Sequence, residues 1–194
     1  PQVVSGQEDL ASYQLTWGDL VLTFDKGSLA PSQISYTGQE LLKQAAFWQI
    51  WRAPTDNDRH VRKEWEAANY HHSQFWIQDS RLEVQADGVS LHFSGAMTAL
   101  ARQNPLSLTG AWKLAKDGQL SLEVHASLDS QMPFLPRFGL CLPLVDAQTV
   151  HYLGQGPFEN YADKQAASYR AQFSLDAGDF YEPYIKPQEN GNRS

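Results

Sequence analysis

Apolar and polar positions alternate along most of the chain. Residues 13–24 read as strand, turn, strand, with Trp17-Gly18-Asp19 as the punctuation and Leu20, Leu22 and Phe24 on one face, because successive side chains of a strand point to opposite sides. The same alternation, carried by β-branched and aromatic residues, predicts strands over residues 33–37, 75–85, 89–97, 106–114, 120–128, 138–142, 150–153 and 169–173. Asp87-Gly88 and Asp117-Gly118 each separate two alternating runs. Glycine tolerates the positive φ of a tight, correctly twisted turn, so two hairpins are predicted there.

Residues 61–72 (VRKEWEAANYHH) break the pattern. Glu64, Glu66, Ala67 and Ala68 favour helix, and Val61, Trp65 and Ala68 fall on one helical face, which predicts one short helix. No self-similar period and no Gly/Ser-rich linker divides the chain, so it reads as a single domain over 1–194. Many closely spaced strands with almost no helix point to an all-β fold, an antiparallel sandwich or barrel.

Composition narrows the function classes. Across 194 residues, 42% are hydrophobic, 19% charged and 12% aromatic, enough to bury a large core and outside the disordered class. The net charge of −7 disfavours a nucleic-acid partner, since phosphates require clustered Lys and Arg. No window reaches the roughly 18 to 20 consecutive apolar residues of a membrane helix, and residues 1–10 lack a basic region followed by an apolar one. Neither a membrane nor a secretion signal is read. The single cysteine, Cys141, lies in the apolar run FGLCLPL and is expected to be a buried, inert thiol.

Candidate chemistry begins at WRAPTDND, residues 51–58. An ordered loop accounts for it on turn chemistry alone: Asp and Asn side chains bond nearby backbone N–H groups, and Arg52 can pair with Asp56 or Asp58. Asp56-Asn57-Asp58 lacks the alternating ligands, the Gly and the closing Glu of a calcium loop, so no metal is expected. His71 and His72 are sequence neighbours, which do not share a helical face, and His60, His92, His125 and His151 read as structural or solvated. Trp48, Trp51, Trp65, Trp76 and Trp112 could stack on sugar rings, but alternation makes core packing their default. Trp51 and Trp65 are the best exceptions, because they flank the polar loop.

Four segments carry a resemblance. FDKGSLAPSQISYTGQELL (24–42), FWQIWRAPTDNDR (47–59), YLGQGPFENYADK (152–164) and YIKPQENGNRS (184–194) occur in the order seen in the C-terminal small-chain domain of bacterial β-galactosidases of glycoside hydrolase family two, which this chain resembles over nearly its whole length. The resemblance implies the antiparallel β-supersandwich shared with galactose mutarotases, although fold alone does not fix function. It also implies that family members continue beyond the ENGNRS motif. With Pro1 in place of an initiating Met, the chain is expected to be a segment of a longer protein, C-terminally truncated, with unpaired edges or an apolar face that favour self-association.

Retaining hydrolysis of a β-galactoside uses two carboxyl groups about 5 to 5.5 Å apart. The resemblance places both on a separate (β/α)₈ barrel, and no barrel-like alternation of strands and helices is present here. No catalytic residue is therefore assigned. Glu159 with Asn160, and Glu189 with Asn190, sit in Gly/Pro/Asn-rich motifs where holding a turn is an adequate explanation. The resemblance puts the loop after the DND motif, residues 59–62, near the rim of the catalytic pocket. Here His60 replaces the Gly that relatives often carry, and a predicted helix follows at once. Trp51, Arg52, Asp56, Asn57, Asp58, Arg59 and Trp65 are the candidate substrate-binding residues.

The expected function is thus that of a non-catalytic domain of a β-galactosidase acting on lactose-like substrates. Its partners would be the β-galactoside, the remaining domains and further copies of the chain, and its location the cytoplasm, with the periplasm open. Any Mg or Na of the parent enzyme would lie on other domains. A freestanding carbohydrate-binding module and a mutarotase-like aldose epimerase are the alternatives.

Overall fold

The computed structural model describes residues 3–99, 102–146 and 148–193. Thirteen β-strands and one short α-helix are present among them: β1 (Val4–Glu8), β2 (Ser12–Trp17), β3 (Leu20–Asp25), β4 (Pro31–Tyr36), β5 (Gln39–Glu40), β6 (Phe47–Gln49), α1 (Arg62–Ala67), β7 (Gln74–Gln85), β8 (Gly88–Ala99), β9 (Arg102–Ala115), β10 (Leu120–Leu128), β11 (Gly139–Cys141), β12 (Thr149–Gly156) and β13 (Tyr169–Asp176). All strand pairings are antiparallel. The fold is all-β, as the alternation indicates.

The backbone gathers into two compact units, residues 1–52 with 63–145 and residues 53–62 with 146–194. The first holds a five-stranded sheet in the order β1-β2-β3-β4-β5, a four-stranded sheet β10-β9-β8-β7 and the two-stranded pair β11-β6. Tyr13, Leu15, Leu22 and Phe24 of the five-stranded sheet are buried, as are Val89, Leu91, Phe93, Leu108, Trp112 and Leu114 of the four-stranded one. The two inner faces meet directly: the rings of Phe24 and Trp112 lie 5.2 Å apart, and the Tyr13 hydroxyl is 3.0 Å from Ser80 Oγ. On β1, a methyl group at Gly6 would strike Val89 and Leu82, so glycine allows this edge to approach β7 and β8 closely. The second unit is built on the β12-β13 ribbon.

Several sequence expectations are corrected. The helix is a single stretch of six residues, Arg62–Ala67, followed by a 3₁₀ turn at Tyr70–His72. Asn69 between them adopts the left-handed conformation at φ 57°, which ends the α-helical hydrogen bonding. Trp65 and Ala68 are buried from this segment as its spacing implies. Trp76 is 57% exposed, not core, because β7 is an outer strand of its sheet and Phe75 takes the inward position against Trp48 and Phe93. Cys141 is half-buried, since the β11-β6 pair has only two strands to cover it. The two predicted hairpins form. At Gly118 the reason is the expected one, φ 87°, whereas at Gly88 the close approach of the Leu114 carbonyl excludes a side chain.

Candidate functional site

The WRAPTDND candidates divide between the two units. In the first, Trp65 follows from its place on the inner face of α1 and is fully buried. Its indole N–H donates to the Phe134 carbonyl at 2.9 Å, and the rings of Phe134 and Trp51 meet it edge-on at 5.6 and 6.4 Å. The Arg52 guanidinium lies over the Trp65 ring at 5.3 Å while its Nε donates to the Pro136 carbonyl at 3.0 Å. Trp65 therefore has no open face for a ligand. Trp51 is half-buried beside His71, whose ring is 5.4 Å away, and keeps some surface.

In the second unit, Asp56–Asp58 forms a 3₁₀ turn. Asp58 is buried and its carboxylate accepts from the Thr55 N–H at 2.7 Å and the Thr55 hydroxyl at 2.9 Å, a reciprocal cap that fixes the turn. The Asp56 N–H donates to the Pro187 carbonyl at 2.9 Å, and the Asp56 carboxylate lies 3.6 Å from Lys186. Asn57 and Arg59 project into solvent from this held turn.

A polar cluster joins the two later motifs. Glu159 is 8% exposed. One carboxylate oxygen accepts from the Gly191 N–H at 3.0 Å, and the other from the Tyr184 hydroxyl at 2.5 Å and Lys164 Nζ at 3.3 Å. Lys164 also donates to the Tyr184 hydroxyl. Desolvation pushes the Glu159 pKa up, but the hydrogen bonds from Tyr184, Gly191 and Lys164 outweigh it and hold the carboxyl below its ordinary range. The Tyr184 hydrogen bond, offset in part by desolvation and reinforced by Glu159, raises the Lys164 pKa. Asn160 and Asn192 pair through backbone and side chain, at 3.2 and 2.8 Å. Asn190 accepts from the Glu182 N–H at 2.5 Å and donates to the Gln188 carbonyl at 3.4 Å, with Glu189 half-buried between them in sequence.

Beside this cluster is a cavity of about 620 Å³ whose wall includes Phe158, Lys164, Asp179, Phe180, Glu182 and Arg193. Sequence reasoning singled out Glu159 and Asn160 but missed Lys164, Tyr184 and Arg193 as their neighbours. All three stand inside the motifs carrying the resemblance. What the motifs cannot display is that a lysine five residues on and a tyrosine 25 residues on converge upon one carboxylate oxygen.

A family model described as beta-galactosidase small chain matches residues 16–194. A beta-galactosidase of Actinobacillus pleuropneumoniae is 33% identical over 187 residues, covering 96% of this chain and 19% of that protein. One from Staphylococcus xylosus is 33% identical over 172 residues, covering 88% and 17%. One from Oenococcus oeni is 29% identical over 202 residues, covering 96% and 19%. The chain spans about a fifth of the length of these relatives. With the family model spanning nearly the whole chain, including the motifs that meet at Glu159, the chain belongs to the beta-galactosidase small chain family.

Proposed function

We propose that this chain is a non-catalytic domain of a β-galactosidase that hydrolyses terminal β-D-galactosides such as lactose, the catalytic carboxylates residing on a barrel outside it. The observation that carries the reading is the state of the buried acids. Glu159 and Asp58 are the buried carboxylates among the described residues, and both are engaged: Asp58 in capping a turn, Glu159 in joining two motifs. A general acid for glycoside hydrolysis needs a raised pKa, and that of Glu159 is lowered. Exposed Asn57 and Arg59 on a held turn suit a contribution to an active-site rim. Exposed Phe47, Leu142 and Leu144 suit contacts with other domains or subunits. A cytoplasmic location accords with this reading.

The test is a chromogenic β-galactoside assay on the purified chain and on the same chain joined to the rest of its parent polypeptide. No turnover by the chain alone, with turnover by the longer protein, is the expected outcome. Hydrolysis by the chain alone would overturn the assignment.

A further inference from the structure

The cavity beside Glu159 has its own chemistry, and it lies within one unit. Its volume of about 620 Å³ is in the range of small-molecule sites, roughly 300 to 1,000 Å³. Phe158 and Phe180 supply aromatic wall, and Phe158 is 62% exposed, so its ring is not consumed by core packing.

The polar wall can be accounted for group by group. Lys164 Nζ has three N–H bonds and uses two, on Glu159 and Tyr184. Arg193 uses Nε on the Pro157 carbonyl and Nη1 on the Asn192 carbonyl, each at 3.0 Å, and lies over the Phe180 ring at 5.2 Å, while its further guanidinium N–H bonds have no acceptor among the described residues. The Asp179 carboxylate accepts the Asp176 N–H with one oxygen at 3.3 Å. The exposed Glu182 carboxylate has no hydrogen-bond partner among the described residues. The wall therefore offers spare donors and spare acceptors side by side.

That mixture discriminates between ligand classes. An anion would meet Glu159, Asp179 and Glu182, a cation would meet Lys164 and Arg193, and in either case like charges oppose binding. A neutral polyhydroxyl ligand satisfies both sets, since each hydroxyl donates and accepts, and the apolar C–H face of a pyranose matches an aromatic ring. We propose that this cavity is an accessory binding site for a neutral pyranoside, with Phe158 as the stacking platform and Glu182, Asp179, Lys164 and Arg193 as the hydroxyl partners. The site goes beyond the non-catalytic role and does not depend on it.

The test is calorimetric titration of the whole chain with methyl β-D-galactopyranoside, sodium phosphate and ethylammonium chloride as separate probes. Saturable heat at millimolar concentration with the glycoside alone is expected. Loss of one aromatic contact or one charged acceptor is each expected to weaken it by about tenfold, in Phe158→Ala and Glu182→Gln. Both positions are exposed, so the variants retain the fold, checked by circular dichroism. Leu10→Ser, at a 98% exposed position of the other unit, is expected to leave affinity unchanged. Absence of saturable heat with the folded chain, saturation by phosphate or ethylammonium instead, or unchanged affinity in both cavity variants would each overturn the proposal. Chromogenic turnover in the same sample would instead sink the non-catalytic reading and leave this one standing.

Discussion

Four tryptophans donate their indole N–H to a loop carbonyl: Trp17 to Lys116, Trp48 to Ser28, Trp65 to Phe134 and Trp112 to Leu29, at 2.9 to 3.0 Å. Each ring thus adds apolar area to the first unit, and those of Trp48, Trp65 and Trp112 also satisfy a buried or part-buried backbone acceptor that would otherwise be costly to leave unpaired. The second unit has no tryptophan and relies on Glu159 instead. Replacing that carboxylate in Glu159→Gln is expected to cost about 2 kcal/mol near neutral pH, the scale of a hydrogen bond to a charged group. Because its pKa is depressed on folding, the stabilisation is present above the ordinary glutamate value of about 4.3 and fades as pH falls through the lower folded value. Amide exchange at Gly191, whose N–H the carboxylate accepts, reads this unit directly. Protection that falls below about pH 4 in the parent chain and lacks that acid-dependent step in the variant is the expected result; identical acid profiles would remove Glu159 from the account.

At the level of the elements, alternation was legible wherever a strand is long and half-covered. Residues 120–128 coincide with β10, and 75–85 and 89–97 with most of β7 and β8. It failed for β1, whose sequence VSGQE has one apolar residue and is specified by pairing with β2 and by the room Gly6 leaves. It failed also for β6, three residues long, whose partner β11 is about ninety residues away and leaves no local trace. The candidate site was legible as motifs and illegible as contacts, since the convergence of Lys164 and Tyr184 on Glu159 depends on the path of the chain between motifs. The turn between β9 and β10 offers a test of the glycine argument. Gly118 has φ 87°, and a methyl group there would sit 2.8 Å from the Trp17 ring. Gly118→Ala is expected to destabilise by more than about 1 kcal/mol, lowering the melting temperature followed by tryptophan fluorescence by about 3 °C. An unchanged melting curve would mean the turn relaxes without cost.

For the molecule as a whole, the unresolved balance is at the surface of the first unit. Phe47, Leu142 and Leu144 are 42 to 52% exposed near the two-stranded β11-β6 pair, and Leu144 bridges to Leu42 beside it. Taken alone in solution, the chain has only its own copies with which to cover this surface. Light scattering at micromolar concentration is expected to give a mass above the 21.8 kDa of one chain, and Phe47→Lys with Leu144→Lys to return it to that value. A strictly monomeric parent chain would refute the expectation.

The strand order also carries a timetable. β1 through β5 pair with sequence neighbours, and so do β7 through β10, whereas β6 must wait for β11. On the ribosome, Trp48 emerges long before Leu140, the residue opposite it, has been synthesised, yet the acceptor of its indole N–H, Ser28, is already outside. A growing chain can therefore park this large side chain against the first sheet while its strand partner is still unmade.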